Sequence, residues 1–75
     1  MRAIIEILTQ AGKARSVYDA IKKIEEVKEA YLVTGRCDII ALVEVKDLKT
    51  LGELVISKIH TIDGVVKTET LICVE

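Results

Sequence analysis

The 75-residue chain has no proline, phenylalanine or tryptophan, and only two cysteines and one histidine. Its longest apolar runs are far shorter than the roughly 18 residues of a membrane-spanning helix, and no signal segment is recognisable. Its 11 basic residues are interleaved with 12 acidic ones, so no basic stripe faces nucleic-acid phosphates. We therefore expect no membrane partner, no direct nucleic-acid partner, and free thiols in a reducing cytoplasm.

Residues suited to catalysis or metal binding are equally scarce. His60 has no evident acid or nucleophile partner and is interpreted as a solvated helix residue. Cys37 and Cys73 lack the close spacing of a metal site or a redox pair, and Cys73 is better explained as a buried strand thiol. No glycine-rich phosphate loop or zinc-protease motif occurs. We expect neither an enzyme nor a bound metal or cofactor.

The chain does contain clear apolar periodicity, which predicts six elements. The predicted strands cover residues 2–9, 27–34, 38–45 and 65–74, and the predicted helices cover residues 13–26 and 48–61. Asp47 is expected to cap the second helix, and Gly64 to end it. The order β-α-β-β-α-β predicts one α+β domain over residues 1–75, with a ferredoxin-like fold. In that fold both helices lie on one face of a four-stranded antiparallel sheet.

The third predicted strand is apolar on both sides. Ile40 and Leu42 point one way, while Ile39, Ala41 and Val43 point the other, and the remaining strands repeat this pattern. Two helices can cover only one face of the sheet, and the other face would be a larger apolar patch than monomers tolerate. We therefore expect a homodimer packed sheet against sheet, a dimeric α-β plait.

The turn Thr34-Gly35-Arg36-Cys37-Asp38 is the candidate ligand site. A free amino acid is a zwitterion, which needs a carboxylate for its ammonium group and donors for its carboxylate. Asp38 supplies the first, while Arg36, Thr34 and the turn amides supply the second, and Gly35 lets a ligand approach the main chain. The alternative is plain hairpin chemistry, with Asp38 accepting hydrogen bonds from its own turn. The residues alone leave both interpretations open.

Four stretches resemble the effector-binding half, or RAM module, of the Lrp/AsnC feast/famine transcription regulators. They are IEEVKEA at 24–30, VTGRCD at 33–38, DLKTLGEL at 47–54 and IDGVVKTETLI at 62–72. The resemblance implies a ferredoxin-like fold, dimers through the sheet, and rings of dimers as octamers or decamers. It also implies a free amino-acid effector bound between dimers near the G-x-x-D turn. Thr68 or Thr70 from a facing strand is expected to contribute, although threonine on a strand is also ordinary.

Two features depart from the family's pattern. Cys37 stands where an aromatic residue is frequent, which bears on ligand specificity. The chain also starts directly at its first strand, so we expect no DNA-binding helix-turn-helix domain. The leading hypothesis is an amino-acid sensor that changes its assembly or its partners. The alternatives are a ligand-independent adaptor that co-assembles with full-length Lrp/AsnC regulators, and an ACT-like amino-acid-binding domain with the same element order.

Overall fold

The computed structural model describes residues 1–75 and has the predicted element order. The strands are β1 (Arg2–Thr9), β2 (Val27–Leu32), β3 (Ile39–Glu44) and β4 (Val65–Ile72), and the helices are α1 (Ala14–Lys22) and α2 (Leu48–Glu53). A π-helical segment, Leu54–Ile59, continues α2. The first strand has the predicted bounds, while the other elements are shorter than predicted because the apolar pattern extends into their flanking turns.

The four strands form one antiparallel sheet in the order β2-β3-β1-β4. Both helices pack on the same face, which confirms the ferredoxin-like prediction. The core contains Ala3, Ile5, Ile7, Val17, Ile21, Ile39, Ala41, Val43, Val45, Leu51, Leu54 and Ile59. Because side chains alternate along a strand, the neighbours of the buried strand residues face away from the helices.

The open face of the sheet is the one that neither helix covers. It carries Ile4, Leu8, Tyr31, Ile40, Leu42 and Leu71, which are half-buried or exposed. Ile40 and Leu42 point to this side while Ile39, Ala41 and Val43 are buried under the helices. The two sets are those that the sequence predicts, and the structure decides which of them faces the helices. The sheet is therefore apolar on both sides, with one side uncovered in the single chain.

The second helix begins at the predicted residue, ends at Ile59, two residues before the predicted end, and widens on the way. The side chain of Asp47 accepts a hydrogen bond from the Thr50 N–H at 2.8 Å, so it caps α2. Within the π-helical segment, Leu54 and Ile59 are both buried although Ile59 is five positions after Leu54. A wider turn brings such a pair onto one face, which a regular α-helix does not do. Gly64 follows with φ +103°, as the predicted left-handed residue.

Neither helix has the length and the apolar composition of a membrane-spanning segment.

Candidate ligand-binding site

The turn between β2 and β3 is fixed at both ends by main-chain hydrogen bonds. The Val33 N–H donates to the Asp38 carbonyl and the Asp38 N–H donates to the Ile7 carbonyl, each at 2.9 Å. Gly35 has φ +138°, a conformation that L-residues rarely adopt. A Cβ placed on Gly35 would meet nothing within 4 Å. Glycine is therefore needed here for its backbone conformation and not for space.

The carboxylate of Asp38 joins the beginning of β3 to the end of β1. Its Oδ2 accepts hydrogen bonds from the Thr9 N–H at 2.8 Å and from the Thr9 hydroxyl at 2.9 Å. The hairpin interpretation expected the side chain of Asp38 to accept hydrogen bonds from its own turn. In the structure its donors lie instead on Thr9, at the end of β1. The Oδ1 atom accepts no hydrogen bond within the chain.

The guanidinium of Arg36 reaches the open face of the sheet and binds Glu6. Its Nε donates to Oε1 at 3.2 Å and its Nη2 donates to Oε2 at 2.6 Å. This hydrogen bonding lowers the pKa of Glu6 below its ordinary value of 4.5 and raises the pKa of Arg36. The Glu6 side chain is 9% exposed while that of Arg36 is 79% exposed. Arg36 therefore neutralises a charge within the sheet while keeping its Nη1 side available to a ligand.

A cavity of about 190 Å³ lies beside this ion pair. It is lined by Glu6, Leu8, Arg36, Cys37, Lys67, Thr68 and Glu69. The structure thus brings together three of the predicted site residues, Arg36, Cys37 and Thr68. Sequence reasoning missed Glu6, Lys67 and Glu69, although a glutamate between two isoleucines in β1 was a signal that its charge needed a partner. The cavity therefore has positively and negatively charged side chains next to the apolar side chain of Leu8.

The remaining predicted residues lie around this cavity or away from it. Thr34, Gly35 and Asp38 belong to the turn but do not line it. Thr70 lies on the helix side of β4, in a separate groove of about 340 Å³ between β4 and the second helix. The hydroxyl of Thr68 is 2.8 Å from the Nε2 atom of His60. The predicted solvated histidine is therefore exposed but hydrogen-bonded to one of the site residues.

A family model described as the Lrp/AsnC ligand binding domain matches residues 2–75. The chain belongs to the Lrp/AsnC family. This membership decides against the ACT-like alternative, which rested on a shared element order and on amino-acid ligands. It also explains why the four quoted stretches occur in this order and spacing.

Individual Lrp/AsnC proteins are similar over nearly the whole chain. An uncharacterized HTH-type transcriptional regulator of Pyrococcus abyssi is 39% identical over 70 residues, which is 93% of this chain and 44% of that protein. The regulatory protein AsnC of Escherichia coli is 36% identical over 69 residues, covering 92% and 45% of the two chains. This chain therefore spans less than half the length of these regulators.

A solved structure from Thermus thermophilus matches at nearly its full length. It superposes with a TM-score of 0.94 at 34% identity, and the match covers 99% of this chain and 92% of that one. The structure of Escherichia coli AsnC superposes with a TM-score of 0.93 at 33% identity, over 99% of this chain and 50% of that one, so this chain shares the fold of that part of AsnC.

Proposed function

We propose that this chain is an amino-acid-sensing regulatory module, a binding protein and not an enzyme. A free amino acid binds beside the turn at 34–38 and changes how the module assembles or which partners it binds. The observation that carries this proposal is the cavity at the Arg36–Glu6 pair, which combines cationic, anionic and apolar groups. Both cysteines are free thiols, in keeping with a reducing cytoplasm.

The charges of the cavity suit a zwitterion. Arg36 uses Nε and Nη2 on Glu6, so its Nη1 group, together with Lys67, can bind the ligand carboxylate. Glu69 lines the same cavity and offers an oxygen to the ligand ammonium. The Oδ1 atom of Asp38, which accepts no hydrogen bond within the chain, is a second possible acceptor for the ligand ammonium near the turn. Leu8 supplies apolar contact for the ligand's side chain.

We infer that the functional unit is larger than one chain. The open face carries Tyr31 at 49% and Leu71 at 44% exposure, in a layer continuous with the half-buried Ile40 and Leu42. A second copy packed against this face removes that apolar surface from water. In an octamer or a decamer, built from four or five such dimers, the turn of one dimer would lie near the surface of the next, and this is where we propose that the effector binds.

Isothermal titration calorimetry with a panel of free amino acids tests the proposal. The Arg36→Gln variant removes the carboxylate-binding group, and we expect it to weaken binding at least about tenfold, because charge-assisted hydrogen bonds are lost. Arg15→Gln is the matched control, since Arg15 lies on α1 and not at the cavity. A wild-type protein that binds no amino acid, or an Arg36→Gln variant that binds as tightly as the wild type, would contradict the proposal.

A second candidate function is favoured by one specific observation. The chain itself supplies partners for both charged residues of the turn, since Arg36 binds Glu6 and Asp38 binds Thr9. A ligand-independent adaptor that co-assembles with full-length Lrp/AsnC regulators has no need for an unpaired charge at this turn. Co-purification with such a regulator in amino-acid-free buffer, together with no heat of binding in calorimetry, would favour the adaptor.

A further inference from the structure

A second concave site lies on the helix side of the sheet, away from both the charged cavity and the open face. This groove of about 340 Å³ runs between the second helix and β4. It is lined by the aliphatic side chains of Leu48, Leu51, Val55, Ile56 and Ile72, together with Gly52 and Thr70. No charged side chain lines it, in contrast to the cavity at the Arg36–Glu6 pair. Its volume falls within the range of about 300–1,000 Å³ that is typical of small-molecule pockets.

Gly52 lies in the helical wall of the groove, and nothing inside the chain explains why this residue is a glycine. Glycine is, after proline, the least favourable residue in a helix interior. Gly52 is not among the glycines with positive φ, and a Cβ placed on it would meet nothing within 4 Å. The fold therefore requires neither the backbone freedom nor the small size of glycine here. The missing side chain instead leaves the helix backbone open to a molecule from outside the chain.

The π-helical segment forms part of the same wall. Val55 and Ile56 belong to it, and the His60 N–H closes a wide turn by donating to the Val55 carbonyl at 2.8 Å. Segments of this kind are rare and frequently lie at functional sites. Ile56 is 66% exposed and Leu48 is 62% exposed, so the rim of the groove presents two large aliphatic side chains to water. Covering them with an apolar molecule removes that surface from water and favours binding.

Thr70 supplies the one polar side chain of the groove. Its hydroxyl has no hydrogen-bond partner within the chain, whereas the hydroxyl of Thr68, two residues earlier on β4, is paired with His60. One hydroxyl among aliphatic groups can orient a ligand that carries a single polar group. A zwitterion or a carboxylate is disfavoured, because no lining residue compensates its charge once water is displaced.

We propose that this groove binds a neutral aliphatic small molecule with one hydrogen-bonding group, such as a medium-chain alcohol or amide. The hydrocarbon chain lies against the backbone at Gly52, between the second helix and β4, and the polar group hydrogen-bonds to the Thr70 hydroxyl. The site is separate from the proposed amino-acid cavity and differs from it in ligand chemistry. It therefore goes beyond amino-acid sensing and does not depend on it.

Methyl NMR of the whole assembly, with hexan-1-ol as the probe, tests this site. We expect saturable shifts of the Leu51, Val55 and Ile72 methyl signals, while those of Ile40 and Leu42 on the open face stay in place. Affinity should rise roughly fourfold per added methylene from butan-1-ol to hexan-1-ol, because each methylene buries further apolar surface. Free leucine, which has an aliphatic side chain but carries two charges, should leave the groove signals unchanged.

A leucine at position 52 fills the groove without a steric conflict, because a Cβ at Gly52 has free space. We expect Gly52→Leu to lower hexan-1-ol affinity at least about tenfold, with an unchanged or higher melting temperature, since leucine favours helices. Lys49→Leu adds the same side chain to α2 outside the groove and is the matched control, with unchanged affinity. Thr70→Val keeps the shape of its side chain and should weaken binding roughly twofold to tenfold through loss of the hydroxyl.

Three ligand results would overturn the proposal: no shifts at the groove, equal affinity in the wild type and Gly52→Leu, or leucine shifts that match those of hexan-1-ol. A changed assembly mass of ligand-free Gly52→Leu in native mass spectrometry would also overturn it, because a second copy would then cover the groove. Groove methyl signals that shift only when a full-length Lrp/AsnC regulator is added would assign the groove to a protein partner and overturn it as well. Calorimetry with amino acids should be unaffected by Gly52→Leu, so the two sites can fail independently.

Discussion

Replacing Asp38 by asparagine separates its structural role from its proposed role in ligand binding. In the folded chain its Oδ2 accepts two hydrogen bonds from Thr9, at 2.8 and 2.9 Å. Asparagine can keep these bonds through its amide oxygen, but it lacks the formal charge that a bound ammonium needs. A hydrogen bond to a charged group contributes about 1.5–3 kcal/mol. We therefore expect Asp38→Asn to weaken effector binding by about tenfold to a hundredfold.

Thr9→Val is the structural counterpart of this variant. It removes the hydroxyl donor while keeping the N–H and the branched shape of the side chain. Losing one hydrogen bond to the carboxylate should cost about 1–2 kcal/mol of unfolding free energy, or roughly 4–16 °C in Tm for a domain of this size. The charge of Asp38 remains, so affinity for the effector should change by less than about threefold.

Calorimetry and thermal unfolding of both variants and of the double variant decide between the two roles. If Asp38→Asn melts at a lower temperature but binds every amino acid as the wild type does, Asp38 is a turn residue only. That result would make the adaptor function the better one. If Thr9→Val weakens binding as much as Asp38→Asn does, the effect on the ligand comes from the geometry of the turn and the charge argument is refuted.

Three further predictions concern assembly, pH and packing. Ile40→Glu places a charge on the open face and should dissociate or unfold the protein, so a wild type that sediments as a stable folded monomer at micromolar concentration would refute the face-to-face dimer. The hydrogen bond from Arg36 lowers the pKa of Glu6 below 4.5, so the stability from this pair is present above about pH 4.5 and is lost as the pH falls through the lowered pKa. Glu6→Gln should therefore show a shallower loss of stability between neutral and acid pH in urea unfolding, and an unchanged slope would contradict this. Gly64→Ala would place a Cβ 2.8 Å from the Cβ of Lys13 at φ +103°, so we expect a loss of about 2–4 kcal/mol, and an unchanged midpoint would refute it.

Much of the fold followed from patterns that repeat over a few residues. Alternation along β3 separated its side chains into the correct two sets, whereas only the structure shows that Ile39 faces the helices and Ile40 the open face. Asp47 and Gly64 were predicted because a cap and a left-handed residue depend on their immediate neighbours. The π-helical segment was not predicted, because Leu54 and Ile59 share a face only after the helix has widened under tertiary packing.

The contacts of the candidate site needed information from distant parts of the chain. Asp38 was predicted to bind within its own turn or to hold a ligand, whereas Thr9, 29 residues away, binds one of its oxygens. Glu6 and Arg36 are 30 residues apart, and only the pairing of β1 with β3 brings them together. Thr68 and Thr70 looked equivalent in the sequence, but one lines the cavity and the other the groove under the second helix.

The sequence by itself determined the element order and the two apolar faces of the sheet, because both depend on residue types at short, regular spacings. It indicated the family through the resemblance of four stretches along the chain. The tertiary structure decided which charges meet and which turn residues are already hydrogen-bonded. The physical reason is register. Many strand alignments satisfy the same alternating pattern, and long-range packing selects the one in which Arg36 neutralises Glu6.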